Sequence, residues 1–110
     1  MKVFIPFNDW SNERLQAGRK FATSRNKKYG SPGDTFEAIG WRWKIVSVQR
    51  IPLKFVSNYL YEIEGSDSPM EFISVWDDIH PVKQYDPDHL VWVHFFAPDD
   101  LLQVEKEEEG

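Results

Sequence analysis

Between Arg19 and Lys28 the chain carries five cations, Arg19, Lys20, Arg25, Lys27 and Lys28, with Thr23 and Ser24 set among them. Ammonium and guanidinium groups at that density bind anions, phosphate esters above all. A bare charge cluster is more often a solvated face, but this one belongs to a wider asymmetry. From Arg14 to Lys54 there are ten Lys and Arg against two acids, whereas Phe55 to Pro98 holds one base against eight acids. Asp99 to Gly110 adds six acids and Lys106. The formal net charge of −5 therefore averages over a basic half and an acidic half, and the basic half is where an anionic partner such as RNA would dock.

Other chemistries are poorly served. The chain has no cysteine, so it forms neither disulfides nor a thiolate metal site, and a reducing, cytoplasmic setting fits it. His80, His89 and His94 lack metal-ligand spacing, and His94 inside an apolar run reads as a hydrogen-bonded core residue. No metal and no cofactor are expected. Trp41 and Trp43 can stack on bases, although an aromatic pair on a strand is more often core. Met1 to Trp10 alternates apolar and polar residues without a long apolar run, which argues against a signal peptide or membrane span.

These residues need a frame, and 110 residues suffice for one core. The reading is a single domain over 1–98 and an acidic tail over 99–110 that frays. Val3, Ile5 and Phe7 alternate with Lys2, Phe4 and Pro6 as in a short edge strand. Asn8 or Asp9 caps a helix running to about Ala17, with Gly18 at its C-terminal end. Arg19 to Arg25 is strand-like, and Asn26 to Gly33 is a basic, turn-rich loop. Asp34 to Ile39 and Trp41 to Gln49 form an antiparallel pair across Gly40, with Trp41, Trp43 and Ile45 on one side.

Pro52 suits the first turn of a helix in which Leu53, Val56, Leu60 and Ile63 recur at three- and four-residue spacing up to Gly65. Ser68 caps a second helix with Pro69 in its first turn, Glu71 at the third position, and an apolar stripe of Phe72, Ile73, Trp76 and Ile79. Leu90 to Phe96 is nearly continuously apolar, as in a central strand covered on both faces. Strands at both ends with paired helices between them indicate an α+β domain whose short strands can close into a barrel.

Gly18, Arg19, Lys20, Phe21, Ala22, Thr23, Ser24 and Arg25, followed by Gly33, Asp34, Thr35 and Phe36, resemble the ASCH family. The likeness continues through Glu64 to Phe72, then Val75, Trp76 and His80, and through Val91 to Phe96, in the order that family uses. It implies a PUA-like mixed β-barrel with flanking helices beside a cleft, acting on RNA or a modified nucleoside. Some bacterial members are amidohydrolases that deacetylate N4-acetylcytidine with a Lys, a Thr three residues later and a helix Glu. Those positions match Lys20, Thr23 and Glu71, while Phe21 stands where such members carry a small hydroxyl residue.

On that resemblance Thr23 is the nucleophile, Lys20 its base and Glu71 the acid or orienting group; the charge cluster and aromatic stacking add Arg19, Arg25, Lys27, Lys28 and Trp43 as substrate-binding candidates. Neighbouring cations favour the neutral amine that a basic lysine needs. Lys20 and Thr23 are an odd number of positions apart and would face opposite ways in a regular strand, so Lys20 must sit in a loop or bulge. Glu71 has a second reading, as the acidic member of a capping box. The competing functions are a non-catalytic RNA-binding module and, more weakly, a ribonuclease.

Overall fold

The computed structural model describes residues 1–99, so the acidic tail expected over 99–110 lies outside the described residues except for Asp99. The elements run α1 (Asp9–Gln16), β1 (Ala22–Arg25), β2 (Thr35–Ala38), β3 (Trp41–Pro52), α2 (Leu53–Tyr59), α3 (Pro69–Ile79) and β4 (Leu90–Pro98). The strands form one antiparallel sheet in the order β1-β4-β3-β2, curled into a half-barrel, which is the expected α+β architecture.

β4 lies between β1 and β3, and its continuous apolar character follows from having a core on each face. Val91 and Val93 join Ala22, Leu53, Val56, Phe72 and Trp76 under the helices. Phe96 joins Ile5, Leu15, Phe36, Trp43 and Ile45 inside the curl, where Phe96 meets the Phe36 and Trp43 rings edge-on at 5.3 and 5.4 Å. Each fully buried side chain of this kind contributes roughly 1.5–3 kcal/mol.

A register shift in β3 between Ile45 and Ser47 leaves Val46 unpaired and 57% exposed. Before this bulge Trp43 and Ile45 face the inside of the curl. After it, Val48 and Arg50 sit opposite His94 and Trp92, so the even-numbered residues share that face.

Three local expectations change. Val3 to Phe7 is not a strand: a single parallel bridge, Lys2 to Thr35, anchors it, with Val3 N donating to Thr35 O at 2.8 Å. Its alternation survives as burial, Ile5 being 2% exposed and Phe4 76%, but Pro6 has no N–H for a ladder and its carbonyl accepts from Arg25. The helix expected from Pro52 to Gly65 stops at Tyr59, and Pro52 is its N-cap. Ile63 instead gives its carbonyl to Phe21 N and Ala22 N at 2.7 and 3.1 Å. Leu60 and Ile63 still pack on the core, so their spacing reported burial rather than helix.

The β2–β3 connection uses both Ile39 and Gly40, at φ 52° and 78°. A Cβ on Gly40 would meet nothing within 4 Å, so the conformation alone demands glycine there. Gly40→Ala is expected to lower unfolding stability by about 1–2 kcal/mol, read in a urea titration, with unchanged circular dichroism.

Candidate functional site

The loop before β1 carries Lys20, whose side chain is 4% exposed. A buried ammonium is costly unless paired and hydrogen-bonded. Here Nζ donates to the Glu64 carbonyl at 2.8 Å and to Glu64 Oε1 at 3.2 Å. The other carboxylate oxygen, Oε2, accepts from Ser24 Oγ at 2.5 Å. Burial pushes the Lys20 amine below its ordinary range; the Glu64 carboxylate opposes this, and the Arg25 and Arg14 guanidinium groups reinforce it.

Glu64 reaches this position because the chain reverses beside it. Gly65 has φ 101°, and a Cβ there would come within 3.1–3.3 Å of the Arg14 side chain, whose Nε donates to Gly65 O at 3.0 Å. The two hydrogen bonds that Phe21 N and Ala22 N donate to Ile63 O clamp the 63–65 turn against β1.

Thr23 and Arg25, two positions apart on β1, share a face, and Arg25 Nε donates to Thr23 Oγ1 at 2.9 Å. Arg25 also donates to Pro6 O at 2.6 Å and lies over the Phe7 and Tyr29 rings at 5.0 and 5.3 Å. Thr23 Oγ1 thus accepts while its own proton remains available to a base. Behind it, His94 is fully buried: Tyr29 N–H donates to Nε2 at 3.0 Å, so Nδ1 carries the proton and faces Thr23 O at 3.3 Å. Burial keeps that imidazole below its ordinary range, hence neutral, and both nitrogens are used as expected of a core histidine. Among the described residues no three His, Asp or Glu side chains are grouped to hold a metal ion.

Lys20, Glu64, Thr23, Ser24 and Arg25 line a cavity of about 670 Å³ between α1, β1 and α3. Its size suits a nucleoside, and its aromatic walls include Phe7, Trp10, Tyr29 and Trp76. Lys20 Nζ lies 5.8 Å from the Trp10 ring centre. Lys20, Thr23, Arg25 and Lys27 all line this space, and Lys20 sits outside the strand as the spacing required. Phe21 is 38% exposed and is absent from the lining, so its size does not narrow the cavity.

Four expected site residues lie elsewhere. Glu71 closes the start of α3: its N donates to Ser68 Oγ at 3.1 Å, and its Oε1 accepts from Asp67 N at 3.0 Å and lies 4.0 Å from the Arg14 guanidinium. The capping reading therefore describes its contacts, and the carboxylate in the cavity is Glu64. Trp43 is 3% exposed between Phe36 and Phe96, with its indole N–H on Ala38 O, so it is core. Arg19 is paired with Asp67 outside the cavity, and Lys28 lies beyond its rim against Trp92. Sequence reasoning gave no role to Glu64, Ser24, Trp10 or Tyr29; the signals for Glu64 were the family likeness that resumes at it and the glycine after it.

No protein-family model matches this sequence, and no curated protein matches it. Solved structures do share its fold. The ASCH domain from Lactobacillus crispatus JV V101 superposes with a TM-score of 0.62 at 13% identity, over 88% of this chain and 77% of that one. The hypothetical protein PH0355 gives 0.65 at 20% identity, over 89% and 99%. EF3133 from Enterococcus faecalis V583, which carries the family name DUF984, gives 0.58 at 21% identity, over 89% and 78%. The fold is ASCH-like.

Removing either carboxylate should separate the two glutamates energetically. Glu64→Ala leaves the buried Lys20 amine with only the backbone carbonyl of residue 64 and no counter-charge, removes the Ser24 acceptor, and is expected to cost about 3–5 kcal/mol. Glu71→Ala removes a partly exposed cap contact and should cost about 1 kcal/mol. Chemical denaturation of both variants checks the order.

Proposed function

We propose that this ASCH-like fold takes a pyrimidine base of RNA or of a modified nucleoside into its cavity and hydrolyses an amide on the exocyclic nitrogen, as in N4-acetylcytidine. The observation that carries the reading is a buried amine, lowered in basicity by burial, held on a carboxylate beside an aromatic-walled space of nucleoside size. Such an amine reaches its neutral form more readily than an exposed lysine.

In this mechanism Thr23 Oγ1 attacks the acyl carbon and passes its proton to the neutral Lys20 amine. Arg25 is placed to stabilise the oxyanion that forms. The C–N bond breaks as the leaving amine receives a proton from Lys20, and Glu64 orients that amine throughout. Water then cleaves the Thr23 ester, releasing the acid and restoring the hydroxyl. Glu64 takes the role that the resemblance assigned to Glu71. The cysteine-free composition agrees with a reducing, cytoplasmic setting.

A second reading is a binding module that holds the base without reacting. It is favoured by one contact: in the resting site the Lys20 amine is engaged by Glu64 twice. Loss of acetyl from acetylcytidine, followed chromatographically, separates the two. Hydrolysis requires that Lys20→Ala and Thr23→Val each lower kcat/KM by about 100-fold or more, while Glu71→Gln stays within threefold. Turnover no greater than in those variants would leave only the binding reading.

The pH profile gives a further check. Because the neutral amine is the reactive form, kcat/KM should rise with pH and level off below the 10.5 of an ordinary lysine. Glu64 raises the Lys20 pKa, so Glu64→Gln should shift that limb to lower pH while reducing the plateau.

A further inference from the structure

Several cations elsewhere on the molecule are neutralised: Lys2 pairs with Glu37, Arg19 with Asp67, Arg42 with Asp99 and Lys54 with Asp88. Among the described residues, Arg25, Lys27, Lys28, Lys44, Arg50 and Lys83 have no carboxylate within 4.0 Å, and of these Arg25, Lys27, Lys28 and Arg50 are gathered on two aromatic rings. Lys27 and Arg25 lie 4.9 and 5.3 Å from the Tyr29 ring centre, and Arg50 and Lys28 lie 4.8 and 5.8 Å from that of Trp92.

The sheet register explains the grouping. Arg25 of β1 and Arg50 of β3 are both opposite Trp92 of β4, and register partners project to the same face. Two strand spacings separate Arg25 from Arg50, about 10 Å, which roughly three stacked nucleotides span. Arg50 reaches this face only because the bulge at Val46 shifts the parity of β3. Tyr29, Lys27 and Arg25 line the cavity, whereas Trp92, Arg50 and Lys28 lie outside it, so the strip starts at the cavity wall and runs away from it.

We infer that this strip is a platform for single-stranded RNA flanking the base held in the cavity, so that the ligand is a nucleotide chain rather than a free nucleoside. The inference rests on the cavity being a nucleobase site and extends it. Guanidinium and ammonium groups without a carboxylate partner contact phosphates, and the partly exposed Tyr29 and Trp92 faces stack on bases. Cation–π contacts at an exposed site are weak enough to be exchanged for both.

The test is fluorescence anisotropy of a labelled single-stranded RNA of about ten nucleotides across a salt series. Arg50→Glu, at an exposed position, should weaken binding about tenfold or more, and Arg50→Ala should lower the salt slope by about one. Trp92→Ala should weaken it about fivefold or more, with folding checked by circular dichroism. Turnover of free acetylcytidine should stay within twofold of wild type in the Arg50 variants. Oligonucleotide binding that all these variants leave within twofold overturns the platform. So does polyaspartate competing as well as unlabelled RNA, because charge alone would then explain the strip. The two readings fail separately. Absent acetylcytidine turnover with Arg50-dependent RNA binding removes the hydrolase, and intact turnover with indifferent RNA binding removes the platform.

Discussion

Everything at the cavity depends on one buried contact, the Lys20 amine against Glu64, two residues 44 positions apart in the chain. Neither group is stable alone in that setting, since an isolated charge in a water-poor interior costs several kcal/mol. The pair is tolerated because its hydrogen bonds are shared out: Lys20 uses both the Glu64 carbonyl and carboxylate, and Ser24 takes the remaining oxygen. The same contact binds the 63–65 turn to β1, so the make-up of the cavity wall and the closure of the chain at this point have a common cause.

The surrounding frame supplies rigidity at the right places. β4 passes between β1 and β3 with a hydrophobic cluster on each face, and Phe96 and Val93 belong to opposite clusters because they are an odd number of positions apart. That double anchoring fixes His94, whose nitrogens bond Tyr29 and Thr23 and so join the basic loop to the strand carrying the hydroxyl. The bulge in β3 then decides which cations face the same way as Arg25. A cavity wall and a charged strip thereby derive from the register of one sheet.

Much of this was legible because it is local. Asn8 caps α1 and Ser68 caps α3, as side-chain oxygens at those positions do, and Gly18 takes a positive φ at the end of the first helix. The apolar run from Leu90 to Phe96 gave the central strand, and the odd spacing of Lys20 and Thr23 placed the lysine outside it. The Pro52 to Gly65 periodicity misled in form alone, since Leu60 and Ile63 are packed while their backbone is not helical. Trp43 and Trp41 look alike in sequence, yet one is 3% and the other 44% exposed, because the hairpin turn begins where the core ends.

What the chain determined by itself was therefore its inventory: element types, caps, the central apolar strand, and a basic segment bearing an amine, two hydroxyls and a guanidinium. Tertiary structure alone decided which carboxylate meets the amine. Glu71 stands in the first turn of α3 and Glu64 in the turn between α2 and α3, and neither position by itself says which carboxylate reaches Lys20. Glu71 found donors within its own turn, at Asp67 N, and had no need of the cavity. Glu64 precedes a glycine whose left-handed conformation turns the chain inward, and burial beside Lys20 is favourable only when both charges arrive together.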